Sequence, residues 1–210
     1  SLTAGGFKGV ILPVNPGSET VLGIRTVPSI TAYGGPVDLA VVVLPSGAVP
    51  AVLEECASKG VKGMVLITAG FKEIEDPRGA ELQRRLRVMA DRAGIAVIGP
   101  NTFGMVNLSR DLNASFTPEF SRLRKGGVSL VSQSGGISHL LAFMAMQQNG
   151  SFSKIIGLGN RLNVDFPEML AYLVEDPDTR VIVLYMEGVD QARRLLEVAK
   201  EKRGLKPIIA

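Results

Sequence analysis

The sequence predicts an α/β fold: a doubly wound parallel sheet laid down as two successive units. Three observations carry this. Short apolar runs alternate with helix-length stretches from one end of the chain to the other. The longest run, Leu39-Ala40-Val41-Val42-Val43-Leu44, shows no polar alternation, which suits a strand buried on both faces. Helix patterns also close repeatedly on a glycine ahead of the next strand, at Lys59-Gly60, Ala93-Gly94, Asn149-Gly150 and Arg203-Gly204.

Taken in order, residues 1–6 read as the tail of a helix feeding a strand at 10–14. Strands follow at 39–44, 64–68 and 96–98, with helices at 49–59 and 79–93 between them. The rhythm then breaks. Asn113-Ala114-Ser115-Phe116-Thr117-Pro118 and Arg122-Leu123-Arg124-Lys125-Gly126-Gly127 carry turn and charge signals without periodicity, which places a boundary near residue 120. The units are then 1–120 and 121–210. The second has strands at 128–131, 154–158, 181–186 and 207–210, and helices at 137–148, 166–175 and 190–202. Both units read as truncated: the first has no strand before its helical tail, and the second ends on a strand without the helix that would follow.

Composition narrows the function. Hydrophobic residues form 46% of the chain and aromatics 5%, so the cores are aliphatic. The net charge of +3 is dispersed, with Arg84, Arg85, Arg87 and Arg92 on different sides of one helix, which argues against a nucleic-acid partner. Cys56 is the only cysteine, excluding an internal disulfide or a multi-cysteine metal site, and its Ala/Leu-rich setting reads as a small buried hydrophobe. No apolar run reaches the roughly 18–20 residues of a membrane span, and no signal peptide is visible. A cytoplasmic protein with no membrane partner is expected.

In open α/β sheets ligands bind at the carboxyl ends of the strands. Those positions here read Asn15-Pro16-Gly17-Ser18, Pro45-Ser46-Gly47, Thr68-Ala69-Gly70 and Gly99-Pro100-Asn101-Thr102. Each alone suits an ordinary turn, but four at successive strand ends suggest a binding edge of small, neutral hydrogen-bonding residues. Val131-Ser132-Gln133-Ser134-Gly135-Gly136-Ile137 runs a strand into a helix start, which suits either an anion or a plain serine cap. Glu187 follows the strand at 181–186 on the same edge and could hold a cation or orient an imidazole. The one histidine, His139, lies beyond the first turn of its helix, where packing is the expected role. A nicotinamide cofactor is disfavoured because the second strand ends in Val14-Asn15-Pro16, with no carboxylate before Glu19.

Several segments together carry a family resemblance. They are Val14-Asn15-Pro16, the run from Asp38 to Pro45, Glu55-Cys56, Thr68-Ala69-Gly70-Phe71-Lys72-Glu73 and Gly99-Pro100-Asn101. Leu112-Asn113-Ala114-Ser115-Phe116, Ser132-Gln133-Ser134-Gly135, Gly159-Asn160 with Asp165-Phe166, and Glu187-Gly188-Val189 continue it in order. The chain resembles NDP(ADP)-forming acyl-CoA synthetases and the α subunit of succinyl-CoA synthetase. The resemblance implies a Rossmann-like CoA-binding domain followed by a flavodoxin-like domain of the succinyl-CoA synthetase type. It implies a reaction in which acid, CoA and ATP give acyl-CoA, ADP and phosphate through an acyl phosphate and a phosphohistidine.

The same resemblance assigns CoA to Val14, Asn15, Pro16, Ser18, Leu44, Pro45, Ser46, Ile67, Thr68, Ala69 and Asn101. It assigns Ser134, Gly135 and Gly136 to the phosphate on the phosphohistidine, and Glu187 to that histidine's ring. It implies ADP or ATP with Mg²⁺ on an ATP-grasp module, as a β subunit or fused domain, within an oligomer. The family's glycine-rich loop would precede residue 1 and its phosphohistidine would follow residue 210; His139 matches neither. Some bacterial protein lysine acetyltransferases carry a degenerate, regulatory copy of these domains, and that is the alternative reading. The acyl group is left open among acetyl, propionyl, branched-chain and aryl, with Thr102 and Gly104 near the implied acid surface.

Overall fold

The computed structural model describes residues 1–210. The first unit contains a small hairpin, β1 (Thr20–Val21) and β2 (Ile24–Arg25), then β3 (Leu39–Val42), α1 (Val49–Ser58), β4 (Gly63–Leu66), α2 (Pro77–Ala93) and β5 (Ala96–Ile98). Two strands follow that the sequence pattern missed, β6 (Gly104–Asn107) and β7 (Leu112–Ser115). The rest is β8 (Arg124–Ser132), α3 (Gly135–Gln147), β9 (Ser151–Gly157), α4 (Phe166–Glu175), β10 (Val181–Tyr185), α5 (Ala192–Glu201) and β11 (Ile208–Ile209).

Strands β3, β4 and β5 pair in parallel in that order. Both crossovers run in one direction, so right-handed connections put α1 and α2 on the same face. There they close a core of Val42, Val49, Leu53, Cys56, Met64, Leu66, Leu86, Ala90 and Val97. The expectation that 39–44 is buried on both faces fails, because Val41 and Val43 on the other face are exposed. The expected strand at 10–14 is also absent. Its last residue makes one isolated parallel bridge, Val14 to Val27, and Pro13 has no N–H to extend a ladder. Residues 2–6 form turns rather than a helical tail.

The second sheet has the order β11-β10-β8-β9-β6-β7. Strands β8 to β11 are parallel, while β6 runs antiparallel to both β9 and β7, so this sheet is mixed rather than wholly parallel. Sheet membership therefore changes between Ile98 and Gly104, ahead of the expected boundary near residue 120. From β8 the chain steps to β9 on one side, then crosses back to β10 on the other, so helices cover both faces. Leu130 and Ile155 face a core with Phe103, Phe120 and Ala142 under α3, while their neighbours Val131 and Ile156 face Phe166, Leu170, Leu173 and Ile182 under α4. The reversal of strand order falls at the carboxyl end of β8, where such sheets open a crevice.

Local chemistry sets the helix ends. Asp76 caps α2 by accepting from the Arg78 N–H, Pro77 sits at its first turn, and Gly94 closes it at φ 65°. Asp165 and Glu168 form a reciprocal capping box at the start of α4. Cys56 on α1 has no exposed surface, and burial, with the charge of Glu55 second, pushes its thiol up to about 11. At pH 8 we expect no alkylation of the folded protein by iodoacetamide within an hour and full alkylation in guanidinium. Rapid labelling without denaturant would show that the α1 layer opens.

Candidate functional site

A crevice of about 710 Å³ opens where the two units meet at the carboxyl edge of the second sheet. From the first unit it is lined by Ile67 and Ala69 after β4, Glu73, and Asn101, Thr102 and Phe103 after β5. The second sheet's segments contribute Phe116, Gln133, Gly135, Gly136, His139, Gly159, Asn160 and Glu187. Six of the residues to which the family resemblance gives a binding role are thus brought together: Ile67, Ala69, Asn101, Gly135, Gly136 and Glu187.

The others lie elsewhere. Asn15, Pro16 and Ser18 line a separate crevice beside the β1–β2 hairpin, together with Arg25. Val14 is occupied by its bridge to Val27. The Thr68 hydroxyl donates to the Leu44 carbonyl at 2.7 Å and accepts from the Leu44 N–H at 3.2 Å, tying two strand ends. Pro45 caps a short 3-10 turn at Ser46–Ala48. Ser134 lines neither crevice; its hydroxyl caps α3 by accepting from the Ile137 N–H at 3.3 Å.

The start of α3 presents free backbone N–H groups and the positive end of a 13-residue helix. A Cβ built on Gly135 or Gly136 would meet nothing nearer than 3.8 Å, so neither glycine is there to relieve packing. Both leave open space in which an anion can reach the backbone. Gln133 fixes the opposite wall: its Oε1 accepts from the N–H of both Glu187 and Gly188 at 3.1 Å. The loop after β10 is thereby tied to the loop after β8.

The seam between the units is polar, and the sequence pattern did not expose it. Asn160 is buried; its Nδ2 donates to Glu73 and, at 3.0 Å, to Gln83, while its N–H donates to the Pro100 carbonyl at 2.8 Å. Gly159 stands at φ 53°, and a Cβ there would lie 2.3 Å from the Pro100 carbonyl oxygen, so only glycine allows this approach. Burial pushes the Glu73 carboxyl up, but hydrogen bonds from Asn160, Gly70 and Phe71 outweigh it and hold the group below the usual carboxylate range. Glu73 carried no signal beyond its place in the segment from Thr68 to Glu73, and Asn160 none beyond its place in the Gly159-Asn160 motif.

His139 is half-buried and lines the crevice. Its Nδ1 lies 2.7 Å from the Gly135 carbonyl, which can only accept, so that nitrogen donates. In the neutral ring Nε2 then accepts from the Thr117 hydroxyl at 2.7 Å. With both ring nitrogens engaged, His139 acts as packing with one face towards the crevice.

Comparisons with known proteins bear on this geometry. The family model described as a CoA binding domain matches residues 2–107, and that of a succinyl-CoA ligase like flavodoxin domain matches residues 125–210. The chain is 42% identical over 204 residues to an acetate–CoA ligase (ADP-forming) of Methanocaldococcus jannaschii, covering 97% of this chain and 28% of that protein. It is 38% identical to subunit alpha of an acetate–CoA ligase (ADP-forming) II of Pyrococcus furiosus, covering 96% of this chain and 43% of that one. The chain thus spans less than half the length of either relative. A solved structure titled as a dinucleotide forming acetyl-coenzyme A synthetase 1 of Candidatus Korarchaeum cryptofilum, in complex with phosphate and ADP, superimposes with a TM-score of 0.92. That match has 35% identity and covers 99% of this chain and 44% of the other.

Proposed function

The chain belongs to the CoA binding domain family, and we propose that it is the CoA-handling portion of an ADP-forming acyl-CoA synthetase. The observation that carries this reading is the convergence of Ile67, Ala69 and Asn101 with Gly135, Gly136 and Glu187 on one crevice. The first three stand at strand ends of a CoA-binding unit and the last three at an anion-accepting helix start and its facing loop. A thiol and a phosphorylated acid must meet in such a reaction, and one crevice lined from both units provides the place.

CoA, when bound, supplies the thiol that takes the acyl group from its phosphate. In this chain Ile67, Ala69 and Asn101 would flank its reactive end, with Leu44, Pro45, Ser46 and Thr68 shaping the strand ends alongside. Val14, Asn15, Pro16 and Ser18 would meet the far end in the second crevice, where Arg25 adds a positive charge. The N–H groups at Gly135 and Gly136, which Ser134 orients by capping the helix, would receive the phosphoryl oxygens. Glu187 would hold the ring of a phosphoryl-carrying histidine. We take the units along the chain as 1–120 and 121–210, with β6 and β7 of the first pairing into the sheet of the second.

No lysine or arginine lines the main crevice, while Glu73 and Glu187 do. A helix start alone offers about half a positive charge, so phosphoryl transfer would need cations from outside. An ATP-grasp module, fused or separate, with ADP or ATP and Mg²⁺ fits that need. Both relatives described above are named as ligases, so the regulatory alternative gains nothing from them.

Titration calorimetry of this chain tests the ligand. CoA is expected to give saturable heat and NAD⁺ none, and Gly136→Asp is expected to weaken inorganic phosphate binding by placing a carboxylate at the helix start. NAD⁺ binding in preference to CoA overturns the assignment.

A further inference from the structure

The end of the crevice bounded by Phe103, Phe116 and His139 has no part in holding CoA or phosphate in the reading above, and its surface is unlike the rest. Phe116 follows β7 and is 61% exposed. Its ring lies nearly parallel to the imidazole of His139, at 20°, with centroids 6.0 Å apart. Phe103, almost wholly buried, meets the same imidazole edge-on at 5.4 Å. Because both nitrogens of His139 are engaged within the protein, the ring offers an aromatic face and no free donor. An exposed phenylalanine laid over such a face, at the rim of a crevice rather than in a core, leaves apolar surface uncovered.

Position adds to this. The nearest atom to a Cβ built on Gly135 is a ring carbon of Phe103, at 3.9 Å, so the aromatic wall adjoins the helix start. A carboxyl or acyl phosphate group at the α3 N–H groups would therefore direct its carbon chain along that wall. Charge decides what the chain can carry. Glu73 and Glu187 line the crevice and no lysine or arginine does. A second carboxylate would find no cationic partner and two like charges.

We infer that Phe103, Phe116 and His139 form the acyl subsite, and that it selects apolar acyl chains bulkier than acetyl, branched or aromatic, over acetyl and over dicarboxylic acyl groups. This rests on the CoA reading proposed above. Each methylene covered by the wall is expected to tighten binding roughly fourfold, and an aromatic acyl group gains further from the ring faces.

The test is calorimetry of this chain with CoA, acetyl-CoA, isovaleryl-CoA, phenylacetyl-CoA and succinyl-CoA. Isovaleryl- and phenylacetyl-CoA should bind at least about tenfold tighter than acetyl-CoA, and succinyl-CoA more weakly than CoA itself. In Phe116→Ala the ratio of phenylacetyl-CoA to CoA affinity should fall towards one. Phe116→Leu should keep the isovaleryl preference and lose most of the aromatic one. Because Phe116 is exposed, its removal opens no core, and circular dichroism confirms that the variants are folded. CoA binding with all acyl-CoAs within twofold of one another, or an unchanged ratio in Phe116→Ala, overturns the inference alone. Failure of CoA itself to bind overturns the parent reading and this inference with it.

Discussion

Lys154→Met is expected to lower the melting temperature of the chain by about 10 °C, because it leaves a buried carboxylate without its cation. Lys154 lies on β9 with 2% of its side chain exposed, and its Nζ is 2.5 Å from Asp176, itself 7% exposed. Around the pair, Thr179 donates to Asp176, the Ser153 hydroxyl accepts from Lys154 at 3.1 Å, and Ser129 bonds Thr179 at 2.8 Å. Removing one partner of a buried pair strands the other charge and costs roughly 3–5 kcal/mol. At about 2–4 °C per kcal/mol for a domain of this size, that sets the expected shift.

The double variant Lys154→Met with Asp176→Leu should recover much of the loss, because no charge is then left uncompensated. Equal melting temperatures for the single variant and the wild type would show that water reaches the site. Acid sensitivity should follow from the same pair. Burial pushes the Asp176 carboxyl up, and hydrogen bonds from Lys154 and Thr179, with the ammonium charge, outweigh it and leave the group below its ordinary value. A carboxyl lowered in the folded state contributes stability above its unfolded value near 3.9, and this is lost as the pH falls below that. The double variant should lack that part of the acid dependence in pH-dependent denaturation.

Most of the alternation of strand and helix was legible, because apolar runs and caps are local signals. The helix at 166–175 matches α4 residue for residue, as Asp165, Pro167 and Glu168 define its start and Asp176 its end. The hairpin of β6 and β7 was not legible. Asn113 and Ser115 look like turn residues, yet both are buried. Asn113 Nδ2 donates to the Thr117 carbonyl at 3.0 Å and to Ser121 at 2.8 Å, while its Oδ1 accepts from the Ser115 N–H and hydroxyl. Side chains that close their own hydrogen bonds can sit in a core strand, but composition cannot reveal whether they do. Conversely, residues 10–14 are apolar enough for a strand but have no neighbouring strand to pair with beyond Val27.

The site divided in the same way. Strand-end position found Ala69, Asn101, Gly135, Gly136 and Glu187, because the carboxyl edge of a parallel sheet is a topological fact, whereas Ile67, inside its expected strand, came from the family resemblance alone. It could not separate the two crevices, since Asn15 and Ser18 also follow an apolar run. Gln133, Glu73, Asn160 and Phe116 act through contacts made across the fold, the first by holding the Glu187 loop and the next two by joining the units.

Asn160→Ala is expected to lower both stability and CoA affinity, whereas Asn163→Ala should lower stability alone. The two residues belong to one loop after β9 and both reach into the first unit. Asn163 accepts from the Val97 N–H at 2.8 Å and donates to Asp91 and to the Ile95 carbonyl, each at 2.9 Å, and it lines no part of the main crevice. Asn160 joins Glu73 and Gln83 at the crevice wall, where Asn101 also approaches its side chain at 3.4 Å. Stranding buried partners costs roughly 1–3 kcal/mol in either case, so melting temperatures should fall by similar amounts.

Only in Asn160→Ala does the loss fall between the walls that face the ligand. The Asn101 and Gly135 sides are then no longer held in one arrangement, and CoA affinity should drop about tenfold, equivalent to 1.4 kcal/mol. The Glu73 carboxyl should also rise towards its ordinary value, since Asn160 is the foremost of the hydrogen bonds that lower it, and a carbon-detected NMR titration reads this directly. Equal losses of CoA affinity in the two variants would mean that general stability controls binding. A loss confined to Asn160→Ala, together with the Glu73 shift, would mean that the seam holds the two halves of the crevice in register.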